Sequence, residues 1–228
     1  MPKLLRLALA LAAPLVLASC LLSPGAFESS LDIRRDRTFT FAYVGEVVVS
    51  DPASSGAANL QLEGNASENG DDAEVETPSP PVEPSEAQRR SIIEALSRET
   101  GYRSVEYIGE GKFRVDYSIT GRLDHNFVYP VNIDAMALIP WIAVELRQDG
   151  SARMTAMAFG DGPGGDTPIP PGQDPNRLRN GTFTLTTDAD LVMHNDEDGA
   201  TEGARTSVSW RITPATRSAP TAVVRFPI

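Results

Sequence analysis

From residue 103 onward the chain alternates with period two, and that alternation constrains the fold more than any other feature. In "SVEYIGEGKFRVDYSITGRL", Ser104 to Leu123, Val105 and Tyr107 fall on one face of a strand. Phe113, Val115, Tyr117 and Ile119 fall on one face of the next. A period of two is the signature of a half-buried strand, because successive side chains leave opposite faces of a sheet. Gly109-Glu110-Gly111 supplies the turn, which predicts a hairpin.

The same signal recurs along the chain. "ALIPWIAVELRQDGSARMTAMAF", Ala137 to Phe159, predicts a second hairpin around Asp149-Gly150, with Pro140 pushing the start of its first strand toward a sheet edge. "TFTLTTDADLVMH", "TSVSWRI" and "TAVVRF" predict three closing strands. "TFTFAYVGEVVV", Thr38 to Val49, predicts an early strand with Gly45 as a candidate bulge, preceded by a short strand Leu31 to Ile33 and a turn at "RRDR", Arg34 to Arg37. One segment breaks the pattern. "SEAQRRSIIEALSRETG" carries an apolar stripe, Ile92, Ile93 and Leu96, at helical spacing, with Ser85 and Gln88 placed as a capping box and Gly101 as a stop. The expected fold class is α+β: an antiparallel sheet of about eight strands with one main helix, in a single domain over 31–228.

Asp51 to Glu86 holds nine acids and no Lys, Arg or His, among Ser, Gly, Asn, Ala and Pro. Such a segment buries too little apolar surface to offset ordering entropy. With the helix cap at Ser85, residues 51–84 are expected to be a disordered acidic insertion: a solvated loop, or a segment that recruits a basic partner or weakly holds divalent cations. The loop "GDGPGGDTPIPPGQDP" follows the second hairpin.

The N-terminus reads as a targeting segment. Lys3 and Arg6 precede an apolar run, Leu7 to Ala18, which is shorter than the ~20 residues of a membrane-spanning helix. It ends in Leu17-Ala18-Ser19-Cys20, and Cys20 is the only cysteine. This tetrad resembles the lipobox of bacterial lipoproteins. The resemblance implies signal peptidase II recognition through Leu17, Ala18 and Ser19, cleavage after residue 19, and acylation of Cys20. Residues 1–19 are then a signal peptide and 20–30 a lipidated tether reaching about 35 Å at ~3.4 Å per residue. A lone cysteine makes no internal disulfide. Leu21, rather than an aspartate, follows it, which implies the outer membrane facing the periplasm.

Removing residues 1–19 takes two basic residues and no acid, leaving 18 basic and 31 acidic residues and a formal charge of −13. That argues against nucleic acid as a partner, and against a general positive field toward anionic lipid. The expected partners are the membrane, through the N-terminal lipid, and an envelope protein or lipid. "RRDR" is a solvated turn or a contact for phosphate head groups beside the anchor. Aromatics are 7% of residues, which predicts a modest, largely aliphatic core.

No P-loop, dinucleotide fingerprint, HExxH, paired CxxC or GxSxG is present. No catalytic residue, metal ligand or cofactor is assigned. "DADLVMHNDEDG" resembles a calcium loop only superficially: with Gly199 at its sixth position, His194 and Arg205 fall where carboxylates are required. "GDGPGGD" occurs once, so it is no calcium-binding repeat. Turns account for both. A hydrolase assembled from dispersed residues is the alternative, and would use His125 or His194, the only two histidines. Trp141 and Trp210 are expected in the core, or lining a lipid-binding groove.

The order of elements, ending in "DADLVMHNDEDG", "TSVSWRI" and "TAVVRF", is remotely similar to the LppM-type envelope lipoprotein domain. The resemblance implies an α+β domain held near a membrane and touching lipids or glycolipids, and it transfers no catalytic or binding residue. The expected function is a non-enzymatic, lipid-anchored binding or envelope-maintenance module.

Overall fold

The computed structural model describes residues 21–50, 83–130, 140–160 and 176–227. Leu17, Ala18, Ser19 and Cys20, the expected signal peptide, and residues 51–82 of the expected insertion lie outside the described residues.

The described chain runs β1 (Leu21–Ile33), β2 (Thr38–Ser50), α1 (Glu86–Arg98), β3 (Tyr102–Gly109), β4 (Lys112–Arg122) and β5 (Phe127–Tyr129). It continues through β6 (Ile142–Leu146), β7 (Ser151–Thr155), a 3₁₀ turn (Met157–Phe159), β8 (Asn180–Thr187), β9 (Asp190–His194), β10 (Thr206–Ile212) and β11 (Thr221–Arg225). The fold is α+β and dominated by strands, as expected, but the eight strands in one sheet become eleven in two. The first sheet has the order β10-β8-β1-β2-β4-β3, the second β5-β6-β7-β11-β9. Side chains from both form a single core cluster, so the sheets face each other as a sandwich. Pairing is antiparallel except between β1 and β8.

Three expectations are corrected by register. Residues 21–30, expected as a tether, are the first ten residues of β1. Here Phe27, Ser29, Leu31 and Ile33 point into the core while Ala26, Glu28 and Ser30 point out. Ser29 occupies an inward position and so hides the alternation; its hydroxyl is satisfied by donating to the carbonyl of Ala42 at 2.9 Å. Second, "TFTLTTDADLVMH" is two strands, β8 and β9, in different sheets, with the chain crossing the sandwich at Asp188-Ala189. Third, β6 is interior to its sheet, because β5 pairs with its other side; Pro140 lies just before the strand and removes no ladder bond.

The bulge expected at Gly45 lies opposite it. Register shifts between Pro24 and Phe27 on β1, which pushes the Ala26 and Phe27 backbone toward β2. A Cβ on residue 45 would stand 2.5 Å from the Ala26 carbonyl oxygen, so glycine is required there. Both hairpins form as expected. In the first, Glu110 and Gly111 have φ of 54° and 67°, the positive pair of a type I′ turn.

The helix also forms as expected, capping box included: Ser85 Oγ accepts from the Gln88 N–H, and Gln88 Oε1 from the Ser85 N–H. It packs mainly against β3 and buries only Leu96; Ile92 and Ile93 stay half-exposed.

The core is largely aliphatic by count, as expected, but aromatic rings run through it. All fifteen aromatic residues take part in ring contacts. Twelve form one continuous chain from Phe39 through Phe41, Tyr129 and Tyr43 to Phe27, Phe159, Phe183 and Trp210. Composition counts such residues but does not reveal that they converge. At one border, the fully buried Arg179 donates to the carbonyls of Ala158 (3.0 Å), Gly160 (2.7 Å) and Thr216 (2.9 Å), tying two turns together.

Candidate functional site

The end of the sandwich where β1 begins is the region next to Cys20 in sequence. Leu21 pairs with Ser50 and Leu22 with Val49, so the last residues of β2 lie beside the first of β1. The Val49 N–H donates to Gly111 at 2.9 Å, bringing in the first hairpin's turn, and Lys112 pairs with Val48. Trp141 Nε1 donates to the Leu22 carbonyl at 3.2 Å, which fixes the second sheet to the same end. Lys112 reaches Glu110 at 2.8 Å, and that bond holds its ammonium above the ordinary lysine range, so it stays charged.

The Arg34–Arg37 turn stands at the opposite end. Thirteen residues of strand at ~3.3 Å each separate the two ends by about 40 Å, so the arginines are not beside the expected anchor. They are also occupied. Arg34 and Arg205 both pair with Asp32, Arg35 pairs with Asp188, and the Arg37 guanidinium lies 5.3 Å from the centre of the Phe226 ring. A shallow cleft of 430 Å³ opens over this turn, lined by charges that already have partners.

The two histidines are not brought together. His125 is 84% exposed and contacts only its neighbour Asp124. His194, at the end of β9, is half-buried and lines a second cleft of 570 Å³ with Asp190, Glu202 and Thr206. Asp190 and His194 are four residues apart on one strand, about 13 Å at ~3.3 Å per residue, too far for a hydrogen bond. His194 Nδ1 has no hydrogen-bond partner. Among the described residues no serine, threonine or cysteine side chain is hydrogen-bonded to either histidine, so neither forms a nucleophile–base pair there.

Trp141 and Trp210 are 3% and 6% exposed and line neither cleft. Trp141 packs on Tyr43 and Tyr129, and Trp210 stacks on Phe183. Around Trp141 lies a group of four tyrosines, Tyr43, Tyr102, Tyr117 and Tyr129, of which the sequence marks only Tyr43 and Tyr117 as strand residues. Tyr129 contacts the rings of Tyr43 and Tyr117, and its hydroxyl is 3.4 Å from that of Tyr102. Burial pushes the phenols of Tyr102 and Tyr117 up to about 12, and those of Tyr43 and Tyr129 well above 10. They are neutral at physiological pH and pack as rings with a polar tip.

No family model and no curated protein matches the chain. Among solved structures, the folded domain of LppM from Mycobacterium tuberculosis, determined by NMR, is remotely similar. The alignment covers 91% of this chain and 93% of that one, at 12% identity with a TM-score of 0.38.

Proposed function

We propose that this chain is a lipid-anchored envelope protein, acylated at Cys20, whose sandwich acts as a non-enzymatic module held directly on the outer membrane at its periplasmic face. The observation that supports this is the start of β1 at Leu21, one residue after Cys20. A lipid on residue 20 leaves no linker, so the first strand and the bilayer surface meet. The sandwich then stands with Leu22, Val48, Lys112 and Trp141 toward the head groups and the Arg34–Arg37 turn about 40 Å into the aqueous side. Two or more acyl chains hold such a domain stably, whereas one chain alone gives marginal binding. Because the anchor end is near the bilayer, the partner surface for an envelope protein or glycolipid lies on the edges and far end of the sandwich.

The test is mass spectrometry of the N-terminal peptide from the membrane fraction. A chain beginning at Cys20 with added acyl mass is expected, and Cys20→Ser is expected to release the protein from membranes or leave an unprocessed precursor. An unmodified cysteine, or cleavage elsewhere, overturns the proposal.

A further inference from the structure

We propose that β9 is a docking strand: its free edge takes an extended, basic segment of a partner protein, which adds to the second sheet as a sixth strand. Four strands end the two sheets; one carries a helix, one is very short and one is bridged at a single residue. β3 carries α1, the start of β10 is bridged by Thr201, and β5 has three residues. β9 pairs with β11 on one side only, and among the described residues nothing pairs with the other. An unpaired edge presents a row of N–H and C=O groups, the template for strand addition. The 570 Å³ cleft runs along all five residues of β9, with Ala200, Glu202 and Thr206 as its far wall. Val192 and Met193, 43% and 42% exposed, add apolar surface at that edge.

Charge selects the occupant. The cations near this seam are taken: Arg225 by Asp190, Arg35 by Asp188, Arg205 by Asp32. Asp196, Glu197, Asp198 and Glu202 have no ion-pair partner among the described residues, and the buried Oδ2 of Asp196 has no hydrogen-bond partner. These carboxylates flank the open edge with uncompensated negative charge. They repel the chain's own segment 51–82, which is acidic and holds no base, and a second copy presenting the same edge. An extended segment alternating Lys or Arg with β-branched residues fits all three features: backbone to the β9 edge, apolar side chains to Val192, cations to Glu202 and its neighbours.

The test uses the full chain and a fluorescent, end-blocked nonapeptide alternating lysine and valine, titrated by anisotropy at low salt. Two control peptides accompany it: one with alternate backbone amides methylated, which keeps the charge and removes strand pairing, and one with glutamate for lysine. Tight binding of the first is expected, weakened about tenfold or more by methylation and abolished by the charge swap. Glu202→Lys is expected to weaken it several-fold. Hydrogen exchange should slow at residues 190–194. Equal binding of the methylated peptide, protection elsewhere, or no binding of the first peptide overturns the proposal.

Discussion

The aromatic interior of the sandwich and the helical flank on β3 are built on opposite terms. In the interior, twelve rings touch in one chain, and Phe41, Tyr43, Phe159 and Phe183 are fully buried. On the flank, a single side chain, Leu96, is buried, and the remaining contacts are polar and exposed. Arg89 lies over the Tyr107 ring at 4.7 Å, Glu83 accepts from the Tyr107 hydroxyl and from the Glu110 N–H, and Arg90–Glu86 and Arg98–Glu94 pair along the helix surface. Stability by burial is strong and insensitive to moderate pH; stability by exposed hydrogen bonds and ion pairs is weak and screened. The sandwich therefore holds the fold, and the helix is an addition to its edge.

The largest break in that contrast is alkaline pH, which acts chiefly on the buried phenols of the interior. The folded phenols of Tyr102 and Tyr117 sit at about 12, and those of Tyr43 and Tyr129 well above 10, whereas an unfolded tyrosine ionises near 10. The folded values are raised, so this stabilisation is complete below pH 10 and is lost as pH rises toward 12 and beyond, where the unfolded chain has already released its protons. Tyrosinate absorbance and circular dichroism are expected to change together, in one cooperative step above pH 10. Gradual ionisation of these tyrosines near pH 10 in a chain that stays folded would show that the cluster is open to water.

Next is Phe41→Ala. Phe41 is fully buried at the middle of β2 and contacts Tyr117, Phe127 and Tyr129. A loss of about 3–5 kcal/mol in denaturant unfolding is expected, because transfer and cavity costs add. Leu96→Ala removes the one buried residue of α1. About 2 kcal/mol is expected, at the low end for Leu→Ala, since the lightly packed helix settles into the space. Equal losses from the two substitutions would erase the distinction between core and flank.

The helix was fully legible in the sequence and the interior only in part, for a physical reason. A capping box, a stripe at helical spacing and a stop glycine are local signals, and all appear in the structure at Ser85, Gln88, Leu96 and Gly101. The two hairpins are local as well. What escaped was set by pairing across the chain. Residues 21–30 hold Pro24, Gly25 and several serines, a composition of low strand propensity, yet they pair with both β2 and β8. Ser29 at an inward position broke the alternation that marks a strand. The step from β8 to β9 has no glycine or proline to mark it, only Asp188-Ala189. The cleft beside β9 was invisible for the same reason: "DADLVMHNDEDG" shows its charges, but only the two-sheet topology makes β9 an edge. The proposal at Cys20 draws on no fold at all: it rests on the resemblance of four consecutive residues, Leu17 to Cys20, to a lipobox.

The smallest effect concerns how the chain joins α1. Glu83 accepts from the Tyr107 hydroxyl first and the Glu110 N–H second, and these bonds hold its carboxyl below the ordinary glutamate value of 4.5. A depressed folded value means that its contribution is present above about pH 4.5 and is lost as pH falls through the folded value, where protonation removes the charged acceptor. Glu83→Gln keeps shape and an acceptor oxygen but not the charge. The variant is expected to melt slightly below the parent chain near pH 7, with the gap closing as pH falls below the ordinary glutamate value, in parallel thermal scans. Because Glu83 is exposed, the gap at neutral pH should also narrow in high salt. A gap that stays constant across pH and salt would mean that the residue acts by shape alone, and that the flank is held by packing like the interior it borders.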